Sequence, residues 1–347
     1  KVHWLLSQNV AVKKAMQNRD CIISPLASFL IFHLCDDKNI SIDSANASRM
    51  LLVNLLTQNW DDTLLELFSI PKNILPQCLP ISCFHGTIKN SAIPFLALNG
   101  DQNAALYQNG LPDDSTLRIN LGTGAFVLTP IPPDLMLTEA FQRSGLLAGI
   151  SNSEQGCADF YMEGTVNGAG AALHWLQQQF PDLPKMSDLN SVDFSGLTPP
   201  IFINTIGGLG SPIWRSDIKP FFIDFEVDEN TFLLAMMALL ESILFLLMIN
   251  IERMLSLKPC ISQINISGGL SNNHYLCQSL ADLSMLEVYL SAECEATAKG
   301  IAWIALNQLT GHQLNWTAKQ PENSWSPQSN PSLLTRYAQF KQRIFTL

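Results

Sequence analysis

Residues 94–128 read PFLALNGDQNAALYQNGLPDDSTLRINLGTGAFVL, and this stretch decides how the rest of the chain is interpreted. An apolar run ends in Asn99-Gly100-Asp101-Gln102, and two alternating runs later meet across Gly122-Thr123-Gly124. The alternation predicts a hairpin over residues 117–128. Asp101 is either the N-cap of the helix that follows or a general base at a strand end. The glycine turn is either a plain tight turn or an anion-binding loop, because its N–H groups can face a phosphate.

The later two-thirds of the chain alternates short strands, glycine-rich turns and helices, which is typical of an α/β protein. Strand-like runs lead into the turns at residues 122–124, 207–210 and 268–269, and a helix is predicted after Gly168. Several such loops around one cleft would suit a nucleotide. An acid near phosphate-binding loops is what phosphoryl transfer needs, so these motifs favour that chemistry.

The first third of the chain is predicted to be helical over residues 2–17, 25–34 and 62–70, with loops from Pro76 to Phe84. Residues 231–249 are nearly all apolar and long enough to span a bilayer. Three interpretations are open: a buried core helix, a transmembrane helix and a helix that faces another subunit. Glu241 interrupts the run near its middle, and this favours the core helix.

Composition narrows the classes of function. The chain has 347 residues, a net charge of −10 and no cluster of Lys and Arg, so nucleic acid is not expected as a partner. The eight cysteines are scattered singly, so we expect reduced thiols in a cytoplasmic protein. The six histidines lack metal spacing, and the acidic net charge argues against a membrane partner. The chain begins at Lys1 without Met, and we expect it to be part of a longer protein.

Nine segments, taken in order, resemble the FGGY family of carbohydrate kinases and, within it, the glycerol kinases. They are KVHWLL (1–6), NASRMLLVNLLTQNWDDTLLELFSIP (46–71), NGDQNAALY (99–107), NLGTGAFVL (120–128), GAGAALHWL (168–176), GGLGSPIW (207–214), LLESI (239–243), SGGLSNNHYLCQSLADL (267–283) and ECEATAKGIAWIAL (293–306). Any one of them is weak evidence, but nine in the family's order are highly specific.

The resemblance implies an actin-like ATPase fold, with two ribonuclease H-like domains and a cleft between them. Residues 1–111 would be the rest of an N-terminal sugar-binding domain, residues 112–311 a C-terminal nucleotide-binding domain, and residues 312–347 a tail with a terminal helix. The implied activity is ATP- and Mg²⁺-dependent phosphorylation of a hydroxyl of a polyol or sugar, in a homodimer or homotetramer.

Site residues follow from the same resemblance. Asp101 matches the family's catalytic base, whereas Gln102, Phe126 and Ser44 fall on substrate-binding positions. The nucleotide-binding positions match Gly122, Thr123, Gly124, Gly170, His174, Gly268, Gly269 and Asn273. No metal ligand can be carried over.

The chain also departs from the family's pattern. No Asp-x-Gly-Thr-Thr phosphate loop occurs in the sequence, and neither does the Arg-Glu pair that glycerol kinases use on the polyol. Ser44 replaces a substrate-binding Tyr, and Ser267 replaces the usual Asp before the glycine pair. These departures keep a second hypothesis open, namely a degenerate, non-catalytic protein that binds a sugar or a partner. Which polyol or sugar would be the substrate stays open as well.

Overall fold

The computed structural model describes residues 1–18, 20–182, 194, 196–293, 295–316 and 319–347. The chain forms two compact units. The first unit contains residues 1–112, 149–161 and 293–318, and the second contains residues 113–148, 162–292 and 319–347.

The α-helices in the described part of the chain are α1 (Val2–Gln8), α2 (Val10–Gln17), α3 (Leu26–Leu34), α4 (Ser44–Ser48), α5 (Asp62–Leu67), α6 (Asp101–Ala105), α7 (Pro133–Met136), α8 (Glu139–Gln142), α9 (Gly170–Gln179), α10 (Phe232–Leu257), α11 (His274–Ser284), α12 (Ala296–Thr310) and α13 (Pro331–Thr346). Two short 3₁₀ turns cover Lys72–Ile74 and Gly269–Asn272.

The strands are β1 (Ser41–Asp43), β2 (Val53–Asn54), β3 (Asn59–Trp60), β4 (Gln77–Leu79), β5 (Ser82–Thr87), β6 (Pro94–Ala97), β7 (Thr116–Leu121), β8 (Ala125–Ile131), β9 (Leu147–Glu154), β10 (Cys157–Val166), β11 (Phe202–Ile203), β12 (Phe221–Phe222), β13 (Gln263–Ser267), β14 (Glu287–Leu290) and β15 (Ser324–Trp325).

The largest sheet has the strand order β15-β14-β13-β7-β8-β10-β9. β13 pairs in parallel with both β7 and β14, whereas β7 and β8 form the antiparallel hairpin that the alternating pattern predicts. Leu121 lies opposite Ala125 where the hairpin closes across the glycine turn. The carboxyl ends of the parallel strands β7 and β13 thus reach the same edge of the sheet, where open α/β sheets bind ligands.

The long apolar run forms α10, which is the core helix of the second unit. It packs against α9, α11, α13 and strands β8 and β11. By length and composition it could cross a membrane, yet 83% of its most apolar window is buried. The core-helix interpretation is therefore confirmed. Glu241, which interrupts the run, is buried as well and meets a cation from α13.

The first unit contains a hydrophobic cluster built from α1, α4, α5 and the strands between them, with Ile42, Trp60 and Ile74 among its buried members. The predicted loops from Pro76 to Phe84 are wrong, since β4 and β5 occupy most of that stretch. β4 pairs in parallel with β1, and β5 pairs antiparallel with β6. In this pairing Ser41 of β1 lies opposite Gln77 of β4, 36 positions later in the chain. Local composition around residues 77–79 therefore could not reveal β4.

The predicted continuous helix over residues 2–17 is two helices. Asn9 has extended backbone angles (φ −95°, ψ 108°), and its side-chain oxygen accepts a hydrogen bond from the N–H of Val12 at 3.1 Å. Asn is among the best N-cap residues because its oxygen satisfies a free N–H of the first helical turn. It therefore starts α2 rather than continuing α1.

Candidate functional site

Asp101 is exposed at the start of α6. The N-cap of this helix is Gly100, so the alternative that Asp101 is the N-cap is wrong. One carboxylate oxygen of Asp101 accepts a hydrogen bond from the N–H of Gln102 at 2.8 Å. The second oxygen has no partner among the described residues and is available to an incoming group. Gln102 itself is half-buried beside it.

Three side-chain hydrogen bonds hold the turn that carries Asp101. Asn99 donates its amide to the carbonyl of Ser151 at 2.8 Å, and Asn103 donates to the carbonyl of Ile150 at 2.9 Å. From α12, the Thr297 hydroxyl donates to the backbone carbonyl of Asp101 at 3.1 Å. Sequence reasoning missed these residues because their partners are about 50 to 200 positions away.

α6 and α12 are in unusually close contact at Gly300. A Cβ on Gly300 would lie 1.8 Å from the carbonyl oxygen of Ala104, which no side chain can occupy. One turn further on, the ring of Trp303 stacks on that of Tyr107 with the centroids 5.6 Å apart. Gly300 therefore lets α12 support the short helix that begins with Asp101.

Ser44 is fully buried, and its hydroxyl lies 2.6 Å from that of Ser153. Ser153 also accepts a hydrogen bond from the N–H of Ile81 at 2.8 Å. The adjacent Asp43 caps α4 by accepting from the N–H of Asn46 at 2.9 Å. Burial raises the pKa of Asp43 to about 6, although the hydrogen bonds from Asn46 oppose the shift. In this structure the hydroxyl of Ser44 is thus part of a buried hydrogen-bond network with Ser153 and Ile81. Its assignment to substrate binding stays a prediction.

In the second unit, the turn Gly122–Gly124 lies on the N-terminus of α9. The carbonyl of Gly122 accepts from the N–H of Gly170 at 3.0 Å. The carbonyl of Thr123 accepts from the N–H groups of Ala169 at 3.2 Å and Ala171 at 2.9 Å. These bonds satisfy N–H groups that a helix start leaves unpaired. These contacts bring together two glycine motifs that the sequence assigned to a nucleotide, the turn Gly122–Gly124 and the helix start at Gly170. Gly122 and Thr123 are exposed.

The second glycine turn lies against the same strand end. Gly268 has φ +98°, and a Cβ there would lie 2.4 Å from the carbonyl oxygen of Leu121. Only glycine fits this approach, which places the 268–269 turn beside the residue that precedes Gly122. Around Gly269, by contrast, a Cβ would meet no atom within 4 Å, so the turn opens into free space.

The remaining residues of this unit that the sequence assigned to the nucleotide or the substrate differ in burial and in hydrogen-bond partners. Asn273 is buried and caps α11 by accepting from the N–H of Leu276 at 2.9 Å, while its Nδ2 has no partner among the described residues. His174 is exposed one turn after Gly170 and lies 2.9 Å from the amide nitrogen of Gln178. Phe126 is half-buried and lies opposite Asn120 in the β7–β8 hairpin.

The two glycine turns of the second unit leave backbone groups accessible to a ligand. Within the exposed turn the N–H of Gly122 donates to the carbonyl of Gly124 at 2.9 Å, and the space around Gly269 is open, so the assignment of both turns to a nucleotide stays a prediction. Across the described ranges, no group of three or more His, Cys, Asp or Glu side chains could hold a metal ion.

The fold is that of the carbohydrate kinases with an actin-like ATPase architecture. Glycerol kinase from Plasmodium falciparum, solved with ADP, superimposes with a TM-score of 0.80 at 21% identity over 99% of this chain and 70% of that one. A ligand-bound xylulose kinase from Lactobacillus acidophilus superimposes with a TM-score of 0.77 at 19% identity over 98% of this chain and 69% of that one.

Sequence comparison then defines the family. Residues 1–106 match the N-terminal domain of the FGGY family of carbohydrate kinases, and residues 117–309 match its C-terminal domain. The chain belongs to that family. Glycerol kinases from Synechocystis sp. and Shewanella pealeana are 29% and 28% identical over 92% and 88% of this chain. The chain spans 65% and 62% of the length of these two relatives.

Proposed function

We propose that the whole protein transfers the γ-phosphoryl group of ATP to a hydroxyl of a polyol or sugar, with Asp101 as the general base. The observation that carries this proposal is the exposed carboxylate of Asp101 on a turn that three side-chain hydrogen bonds tie to β9 and α12. A general base has to be held within hydrogen-bond distance of the proton that it accepts, so a fixed and open carboxylate suits the role. Membership of the FGGY family supports the same chemistry.

In this proposal the first unit binds the substrate and supplies the base, and the second unit binds the nucleotide. In the first unit, Asp101 accepts the proton of the substrate hydroxyl as its oxygen attacks the γ-phosphorus, and Gln102 helps to orient the substrate. In the second unit, the turn Gly122–Gly124 would contact the phosphates, and Gly268-Gly269 with Asn273 would hold the adenosine. Gly170 and His174 are further proposed contacts of the nucleotide. ADP leaves as the bond from the γ-phosphorus to the bridging oxygen breaks. Such transfer relies mainly on positioning and charge stabilisation.

Mg²⁺ would neutralise the phosphate charge in such a reaction. Glycerol is the substrate that the relatives' names suggest, and we propose it as the first candidate, with Phe126 and Ser44 in its pocket. A cytoplasmic homodimer or homotetramer belongs to the same proposal.

The test is polyol-dependent ADP release by the longest natural form of the protein. A panel of glycerol, xylulose, ribulose and gluconate identifies the substrate, and Asp101→Asn then tests the base. We expect at least a 100-fold loss of kcat, because a positioned general base contributes about 10²–10⁴-fold. Asp62→Asn is the matched control: Asp62 is also an exposed first residue of a helix in the first unit, and among the described residues its side chain pairs with Lys72 at 2.8 Å.

Retained activity in Asp101→Asn would refute the assignment of the base. If the wild-type protein releases no ADP with any polyol but still binds one, the alternative of a non-catalytic sugar-binding protein replaces the kinase proposal. The departures at Ser44 and Ser267 are the observations that favour that alternative.

A further inference from the structure

A second cleft lies within the first unit, at the far end of α12 from Asp101. It has a volume of about 540 Å³, which is ample for a small ligand. One wall is the C-terminal half of α12 with the residues that follow it, and the other is the hairpin tip of β9 and β10. Thr297, which contacts the Asp101 carbonyl, and Gln308, which lines the cleft, are 11 positions apart on α12, about 16 Å along the helix axis.

The helix wall presents two fixed amide donors. Asn307 uses its Oδ1 to accept from the N–H of Leu314 at 2.8 Å, and Gln308 uses its Oε1 to accept from the hydroxyl of Ser82 at 3.0 Å. Because both oxygens are engaged, each side chain is left with its NH₂ group to offer. Neither NH₂ group donates to a described residue.

The hairpin wall presents acceptors. Asp159 accepts from the Tyr107 hydroxyl with one oxygen at 3.1 Å, which orients the carboxylate and leaves its other oxygen without a partner in the described chain. Glu154 supplies a second carboxylate to this wall. The Oδ1 of Asn152 is shielded from water and accepts no hydrogen bond from the residues described. A polar atom in that state is unfavourable, and a ligand hydroxyl would relieve it after a rotation of the amide.

Donors on one wall and acceptors on the other match the chemistry of a hydroxyl group, which accepts from an amide N–H while donating to a carboxylate. The described lining residues include two carboxylates and neither Lys nor Arg, so a phosphorylated or otherwise anionic ligand would be repelled. A cation would satisfy the carboxylates but leave both amide donors facing positive charge. The half-buried Ala158 adds an apolar surface for the carbon skeleton, and Ile304 is buried behind the cleft wall.

We propose that this cleft is a second binding site of the protein, for a neutral polyhydroxylated compound such as a polyol or free sugar. The site is separate from the candidate active site and needs neither ATP nor turnover. Its occupancy can therefore be measured independently of the kinase activity.

The experiment is methyl NMR of the full chain, with the δ1 methyl of Ile304, which is buried next to the cleft wall, as the reporter. The probes are glycerol, xylitol and sorbitol as neutral ligands, with glycerol 3-phosphate and spermidine as the anionic and cationic comparisons. We expect a saturable shift at Ile304 with at least one neutral polyol, none with glycerol 3-phosphate, and the same affinity in Asp101→Asn. The last result would separate this site from the active site even if the kinase proposal failed.

The double variant Asn307→Asp/Gln308→Glu tests the donors. Each new carboxylate can still accept from Leu314 or Ser82, while both NH₂ donors are removed. We expect polyol affinity to fall at least about tenfold, the equivalent of losing one good hydrogen bond, and spermidine affinity to rise. Glu66→Gln, an exposed change on α5, is the control and should alter neither affinity.

Three outcomes would overturn the proposal. They are no saturable shift at Ile304 with any neutral polyol, tighter binding of spermidine than of polyols by the wild-type protein, and unchanged polyol affinity in the double variant. If the double variant does not fold, the wild-type titrations still decide between a polyol site, a cation site and no site.

Discussion

The buried ion pair between Glu241 and Arg336 leads to a quantitative prediction about how the C-terminal helix is held. Glu241 lies in the apolar α10 with 2% of its side chain exposed, and Arg336 reaches it from α13 with 10% exposed. The guanidinium donates to both carboxylate oxygens, at 2.8 Å and 2.5 Å, and the hydroxyl of Tyr275 donates to the same carboxylate at 2.5 Å. Replacing Arg336 with Met keeps the apolar volume but leaves the carboxylate without its countercharge.

The expected loss follows from the burial. Removing one partner of a buried ion pair costs about 3–5 kcal/mol, because the remaining charge is left in a medium of low polarity. The same two helices provide a matched control, since Lys341 on α13 pairs with Glu252 on α10 while their side chains are 41% and 39% exposed. Lys341→Met should cost only about 0–1 kcal/mol, because water screens an exposed pair.

A double variant separates the missing countercharge from lost packing. In Glu241→Gln/Arg336→Met no buried charge remains, and the Gln oxygen can still accept from Tyr275. We expect it to recover most of the stability that Arg336→Met loses, because replacing both partners of a buried pair is often close to neutral.

The assay is urea unfolding followed by circular dichroism at 222 nm, with the free energy of unfolding extrapolated to water for the wild type and the three variants. If Arg336→Met were no more damaging than Lys341→Met, the reasoning from burial would be refuted. If the double variant were as unstable as Arg336→Met, the loss would come from packing rather than from the unpaired carboxylate.

Three further predictions follow. Gly300→Ala should destabilise the first unit by about 1–3 kcal/mol and lower kcat, because its Cβ would lie 1.8 Å from the Ala104 carbonyl oxygen and push α6, with Asp101, out of place. The change in stability caused by Asp43→Asn should be more favourable at pH 7 than at pH 4 by up to about 3 kcal/mol: burial raises the pKa of Asp43 to about 6, so the stability from its protonated form is lost as pH rises from about 4 to about 6, whereas the loss of the acceptor for the Asn46 side-chain amide is the same at both pH values. At pH 7.5 iodoacetamide should label the exposed Cys157 quickly and Cys277 slowly, since burial raises the pKa of Cys277 to about 12.

Each of these has a clear contrary result. Unchanged stability in Gly300→Ala would mean that α6 and α12 are not in close contact in solution. A stability difference for Asp43→Asn that is the same at pH 4 and pH 7 would mean that the carboxyl titrates normally. Equal labelling rates, read by peptide mass spectrometry, would contradict the burial of Cys277; Cys294 lies outside the described residues and is excluded from this comparison.

Much of the second unit could be predicted from sequence because its signals are local. The alternation on both sides of Gly122–Gly124 gives the hairpin. The sequence predicts a helix start at Asn272 or Asn273, and the structure shows Asn273 as the N-cap of α11. The family resemblance itself is confirmed by the matches to both FGGY domains. The strand β4 and the break at Asn9 were missed, the first because its partner is remote in the chain and the second because a single cap outweighed continuous helical periodicity.

The sequence by itself determined the family, the order of strands, turns and helices around the glycine motifs, and the candidacy of Asp101, since these depend on neighbouring residues and on side-chain periods. Only the tertiary structure decided what holds Asp101 in place, why residue 300 must be glycine, and which cation meets Glu241. It also revealed the two walls of the second cleft. Such contacts join residues separated by about 50 to 200 positions, and their free energy depends on burial that exists only once the chain is folded.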